Sequence, residues 1–208
     1  MTRTYTLRRR AGQQAETRQR IVEAAVALHG SVGPAATTVS MVAERAGVQR
    51  HTYYAHFPDE RSLLMACSGW ALERDPVPDA APWRTIEDPA ERLRAGLRAL
   101  YDWHARNAEL NTCVLRDAEH HTLVGEICQL RYGPPMGAIF GVLGARLNAQ
   151  QQALLHLAMS FYTWRALTRE SGLSQGSAVD AMVRAILCAG ANAGAAAMTS
   201  AADALHVA

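Results

Sequence analysis

The 208-residue chain contains no lysine; all 21 of its basic residues are arginine. Its cysteines are four and scattered: Cys67, Cys113, Cys128 and Cys188. With no C-x-x-C pair among them, a structural zinc site and a disulfide framework are both disfavoured, and buried free thiols are the plain reading. No apolar run approaches the ~18 residues that a membrane span needs. The first 12 residues are arginine-rich but lack the apolar core of a signal peptide. With neither feature, the expected compartment is the cytoplasm. No alternating run reads as a strand, and there is no Asn-Gly or Asp-Gly hairpin signal. The G-x-S-x-G elbow and the glycine-rich phosphate loop are also missing.

What is present describes a globular helical chain. Hydrophobic residues make up 49% and charged residues 19%, which excludes a disordered chain. Net charge is only +2, but it is unevenly placed. Arg3, Arg8, Arg9, Arg10, Arg18 and Arg20 face a single acid, Glu16, in the first 20 residues. A basic end beside a neutral-to-acidic body suits a polyanionic partner.

Periodicity and punctuation predict an all-α fold of about nine helices. The first runs from about Glu16 to Gly30, with Ile21, Ala24, Ala25 and Leu28 on one face. Thr37-Thr38 offers a cap for a short second helix, Val39 to Ala46, closed by Gly47. A third spans Arg50 to about His56. Asp59 caps a fourth that reaches Glu73. A proline-rich loop follows, and Asp88-Pro89 opens a fifth helix to about Arg106. Asn107 caps a sixth, and Gly133-Pro134-Pro135 kinks or ends what precedes it. A seventh helix continues to Leu147, a long eighth covers Ala149 to Ser171, and a ninth covers Gly176 to Gly190. The expected organisation is a flexible basic arm over 1–15, a three-helix unit over 16–59, a helical body over 60–195 and a disordered tail over 196–208.

Function is concentrated in Thr37 to Leu64. Two short helices joined through Gly47 have the spacing of a helix-turn-helix, whose second helix enters the major groove. Val42, Ala43, Ala46, Val48, Tyr53 and Phe57 would face inward. Gln49, Arg50, His51, Thr52, Tyr54 and His56 are left outward. Arg and Gln suit base edges; Thr, Tyr and His suit phosphate oxygens. By spacing alone, a three-helix unit that never meets DNA fits as well.

In combination, Thr37-Thr38, Ala46-Gly47-Val48, the run through Thr52, Tyr54, His56 and Phe57, and Leu63-Leu64 resemble the DNA-binding domain of the TetR family of bacterial transcriptional regulators. The likeness runs from Arg18 to Leu64. It implies that Thr38 and Ser40 touch the DNA backbone. It also implies that Gln49, Arg50, His51 and Tyr54 read bases and that Thr52, Tyr54 and His56 hold phosphates. Three positions depart from the family pattern. Gln49 stands for a Ser cap, Tyr53 for a smaller core residue, and Asp59-Glu60-Arg61 for a triplet that carries a phosphate-binding Lys.

Elsewhere, Asp117, Glu119, His120 and His121 invite a metal, but adjacent helical residues point ~100° apart and two ligands are too few. No metal, cofactor or catalytic grouping is therefore expected. Trp70, Tyr101, His104, Met136, Phe161 and Trp164 read as core or as the wall of a small-molecule site, with His104 the polar anchor. Trp70, at the far end of the fourth helix, is expected to face helices five to eight. Met182, Val183, Ile186 and Gly190, with the second face of helix eight (Leu155, Met159, Tyr162), suit a two-fold interface. The expected protein is a homodimeric repressor of operator DNA, released by a hydrophobic or aromatic ligand. The alternatives are a DNA-binding regulator that senses no small molecule and, more remotely, an α-helical enzyme.

Overall fold

The computed structural model describes the backbone of residues 2–204 and the side chains of residues 10–189. Among the described residues the regular structure is helical throughout. Ten α-helices run in order: α1 (Thr2–Ser31), α2 (Val39–Ala46), α3 (Arg50–His56), α4 (Glu60–Arg74), α5 (Pro89–Arg106), α6 (Ala108–Ala118), α7 (Thr122–Leu143), α8 (Ala149–Met159), α9 (Phe161–Arg165) and α10 (Gln175–Ala204). A 3₁₀ turn covers Ala81–Thr85 and a π turn Ala166–Glu170. No described helix is long and apolar enough to cross a membrane.

The chain forms two compact units, neither contiguous in sequence: 1–76 with 107–133, and 77–106 with 134–208. In the first, α1 packs on α2, α4 and α6. Its core joins Ile21, Val22, Ala25, Val42, Tyr53, Phe57, Leu63 and Cys67, all buried. A second cluster joins Leu64 of α4 to Val124 and Ile127 of α7. In the other unit α5, α8 and α10 pack together over Leu93, Leu97, Leu100, Leu155, Val179 and Ile186, each fully buried.

Several boundaries fall away from their sequence-based positions, each for a local reason. Helix α1 continues back to Thr2, through the segment expected as an arm. Arg, Gln, Ala and Leu there favour helix, and Gly12 alone costs only ~1 kcal/mol against Ala. Helix α6 stops at Ala118 because the Asp117 carbonyl accepts from the His120 and His121 amides, at 3.1 and 2.8 Å. The break therefore precedes His121, and α7 runs on through Gly133-Pro134-Pro135. Those prolines leave the Leu130 and Arg131 carbonyls without amide donors. Leu130 is half exposed, so water can serve its carbonyl. The single helix expected over 149–171 is interrupted at Ser160, whose backbone is extended and whose Oγ accepts from the Tyr162 amide at 3.2 Å. Asn107 does precede α6, but its amide donates to Asp75 at 2.7 Å instead of capping. Trp70 packs against the α1–α4 core, under the Arg74 guanidinium, rather than toward helices five to eight. Of the four thiols, Cys67 and Cys113 are buried, Cys128 is half-buried and Cys188 is exposed. The tail expected from residue 196 lies outside the described side chains, and residues 205–208 lie outside the described backbone.

One part-buried polar contact ties the α1–α2 connection to α6. Asp117 Oδ2 accepts from the Ala35 amide at 2.9 Å, and Asp117 Oδ1 accepts from Arg116 at 2.8 and 2.9 Å. Gly33 sits beneath this pair at φ +99, where a Cβ would strike both side chains. Asp117→Ala leaves the Ala35 amide unpaired. It should lower unfolding stability by about 1–3 kcal/mol, read from urea denaturation; an unchanged midpoint would refute the contact's importance.

Candidate nucleic-acid interface

The reading head is built from two caps and one apolar seam. Thr38 caps α2, its Oγ1 accepting from the Met41 amide at 3.3 Å. Gly47 closes α2 in the left-handed region, at φ 64. There the Gly47 amide donates to the Glu44 carbonyl and the Val48 amide to the Ala43 carbonyl, at 3.1 and 2.9 Å. This pair of hydrogen bonds is the Schellman close, and the left-handed residue suits Gly. It turns the chain so that α3 leaves with Tyr53 and Phe57 pointing into the core, 4% and 0% exposed. Their rings lie 6.1 Å apart, and the Arg18 guanidinium of α1 covers Phe57 at 4.8 Å. Burial, followed by nearby Cys67, pushes the Tyr53 phenol up to about 12. That side chain is a neutral core group.

The same turn leaves the opposite face of α3 open. Gln49, Arg50, His51 and Tyr54 are exposed, while Thr52 and His56 are half-buried. Gln49 holds the N-cap position without spending its amide on the cap. Arg50 donates to Ser40 Oγ, which joins the two helices of the motif across their outer edge. Ser40 and Thr38 use lone pairs in these contacts and retain their hydroxyl protons as donors. His51 Nε2 lies 3.3 Å from Thr52 Oγ1. The arrangement presents a guanidinium, an amide, an imidazole and a phenol side by side. That is the donor and acceptor set a major groove accepts.

Helix α4 begins with its charges turned toward α7. Glu60 Oε1 lies 3.3 Å from His121 Nε2, and Arg61 Nη1 lies 2.9 Å from Glu126 Oε2. Glu60, Arg61 and Glu126 are exposed and His121 is half-buried, so each contact contributes at most ~1 kcal/mol. Their consequence is positional: Arg61 is drawn to α7, not left beside the reading face.

The six residues expected to line a ligand wall fall in different places. Trp70 belongs to the first unit. Tyr101, His104, Phe161 and Trp164 belong to the second, with Met136 half-buried on α7. Those four are close-packed. The His104 ring lies 5.6 Å from Phe161 and 6.1 Å from Trp164. Tyr101 Oη donates to the Ala158 carbonyl at 3.0 Å, and His104 Nε2 lies 3.1 Å from the Met159 carbonyl. His104 Nδ1 and Trp164 Nε1 are buried without a partner.

A cavity that periodicity gave no sign of lies within the first unit, between α1, α4, α6 and the first half of α7. Its walls are mainly apolar, with Arg131, Ser68 and His29 among the polar groups. No local pattern marks it, because its walls come from four helices far apart in sequence.

Residues 21–67 match the family described as bacterial regulatory proteins, tetR family. Over that segment the chain is similar to the DNA-binding region of the TetR family. Two HTH-type transcriptional regulators of Pseudomonas putida, SrpR and TtgW, align with it over 83 residues at 35% identity. These residues are 38% of this chain, 39% of SrpR and 62% of TtgW, so the chain spans less than two thirds of either relative. Among solved structures, a tetR-family regulator from Streptomyces coelicolor superposes with TM-score 0.57 at 18% identity, over 87% of this chain and 83% of that one. Bacillus subtilis FadR in complex with stearoyl-CoA gives 0.55 at 15%, over 81% and 96%. AibR in complex with isovaleryl coenzyme A and operator DNA gives 0.56 at 21%, over 80% and 96%. The fold shared with these structures thus extends past the matched segment.

Two buried histidines set a pH limit on this fold. Burial pulls His29 down to about 4, opposed by Asp117, and pulls His104 down to about 4, opposed by its bond to the Met159 carbonyl. The folded state therefore binds fewer protons than the unfolded chain between about 6.5 and 4. Stability is intact above 6.5 and falls as pH drops through that window, by up to about 3 kcal/mol per histidine. Urea midpoints at pH 7 and pH 4.5 should show the loss, and His104→Phe should make the slope shallower. An identical slope in the variant would contradict this.

Proposed function

We propose that the chain is a DNA-binding transcriptional regulator that acts as a homodimeric repressor and leaves its operator when a small ligand binds. The observation that carries this reading is the outward face of α3. Gln49, Arg50, His51 and Tyr54 stand clear of the core on a helix whose inner side, Tyr53 and Phe57, is locked. A rigid helix with exposed base-reading groups is what direct readout requires. Thr38, Ser40, Thr52 and His56 flank that face and serve as its phosphate contacts. The printed names of the relatives support regulation, and the acyl-CoA complexes of FadR and AibR support ligand sensing.

Most of the stripe expected to form the two-fold contact is buried, Tyr162 excepted, and Gly190 lies outside the described side chains. Met182, Val183, Ile186, Leu155 and Met159 are all buried within the chain itself and cannot face a partner. They fill the seam between α5, α8 and α10. On the outer side, Leu157 of α8 is 52% exposed and Tyr162 43% exposed. Cys188 of α10 is exposed as well. We place the two-fold contact on these outer faces of α8 and α10.

Two experiments test the reading. A duplex selected from a random pool gives an operator. On it, Arg50→Ala should cost about 1–3 kcal/mol and relax base preference, measured by fluorescence anisotropy at fixed salt. Binding equal to the parent would remove Arg50 from the interface. Leu157→Arg should give monomers in analytical ultracentrifugation and weaken operator binding. A variant that stays dimeric would displace the contact to another face.

A further inference from the structure

The cavity of the first unit contains one permanently charged group. Its apolar walls come from Val26 of α1, Leu64 of α4, Leu110 and Val114 of α6, and Val124 and Ile127 of α7. Arg131 lines the same space, and no Asp or Glu does. The guanidinium is fixed from one side. Its Nε donates to Ser68 Oγ at 3.1 Å, and its Nη2 donates to the Met65 carbonyl at 2.9 Å. Both acceptors are neutral and both lie on α4. Among the described residues Arg131 has no carboxylate partner.

A guanidinium has five N–H donors. Two are spent on α4; of the three left, one on Nη1 and the second hydrogen of Nη2 share one edge. That edge has the fork geometry that takes two carboxylate oxygens side by side. A cation beside apolar walls without a counter-ion is an unfavourable arrangement that an anion would relieve. The space is also small, with a cavity volume of about 50 Å³. Its walls away from Arg131 are mostly aliphatic, which suits an alkyl chain.

We propose that this cavity binds an aliphatic carboxylate, with the carboxylate on the free edge of Arg131 and the chain between α4, α6 and α7. This rests on the regulator reading, since it assigns that regulator its effector class and site. It narrows the hydrophobic or aromatic ligand expected from sequence to an aliphatic acid. Arg131 holds the Met65 carbonyl and Ser68 on α4, the helix that follows the reading head. A carboxylate drawing on the same guanidinium competes with those bonds, so occupancy bears directly on where α4 sits. A ligand shifts the equilibrium only through such a difference between states.

The test measures binding to the full chain without DNA, so a failed operator assay cannot obscure it. Calorimetric titration compares sodium hexanoate with 1-hexanol, which has the same chain and no charge. Hexanoate should bind at least about ten-fold more tightly, the scale of a charge-assisted pair. Arg131→Gln should remove that preference, leaving the acid no better than the alcohol. Arg131→Lys, which keeps the charge but loses the fork, should retain part of it. Because Arg131 also braces α4, a second variant, Val114→Phe, fills the void without touching the guanidinium and should abolish binding of both compounds. Circular dichroism checks the fold of each variant. Equal affinity for acid and alcohol, no binding of hexanoate by the parent, or full preference retained in Arg131→Gln would each overturn the site. Hexanoate bound in calorimetry without any release of the selected duplex would leave the site standing and refute its role as the effector pocket.

Discussion

Leu63 and Leu64 are consecutive residues of α4, and a helix turns ~100° per residue. Leu63 is buried with Tyr53, Phe57 and Ile21 in the core of the reading head. Leu64 is buried with Val124 and Ile127 of α7. One helix is thereby held by two apolar clusters on neighbouring faces. Neither can repack without moving α4 against the other, because close-packed interiors tolerate little displacement. The posture of the reading head and the shape of the cavity both depend on that double hold.

The hold extends along α4 as a strip. Glu60 meets His121, Arg61 meets Glu126, Leu64 meets Val124 and Ile127, and Ser68 meets Arg131. Rising numbers on one helix meet rising numbers on the other, so the two run in parallel. Side chains, rather than close backbone packing, bridge the gap. Between them lies the cavity. This is a geometry in which an occupant of modest size can alter several α4 contacts together. The polar contacts at this end contribute little energy and set register; the apolar middle supplies most of the stability.

The head is legible in the sequence because its signals are local. The Thr38 cap, the Gly47 close, the Asp59 cap and the inward pair Tyr53 and Phe57 each reside within a few residues of their structural effect. The Asp88-Pro89 start of α5 is legible for the same reason. What the sequence hides is set by distant partners. The Asp117 carboxylate, which ties α6 to the α1–α2 connection, answers an amide 82 positions away. The prolines of α7 carry a strong breaker signal, yet the helix absorbs them beside an exposed turn. Ile186 and Met182 have the spacing of an interface stripe, and that spacing is equally that of a helix buried in its own chain. The aromatic set Tyr101, His104, Phe161 and Trp164 does gather in one place, but rings 5–6 Å apart make a packed core. The cavity that does exist is walled by aliphatic residues of no distinctive pattern.

Amide hydrogen exchange on the full chain, comparing the parent with Arg131→Gln, tests most directly whether α7 fixes α4, and with it the reading head, through Arg131. If it does, exchange should be faster in α4 around Ser62 to Ser68 and in α3, both remote in sequence from the substitution. Faster exchange confined to α7 itself, with α3 and α4 unchanged, would contradict that hold.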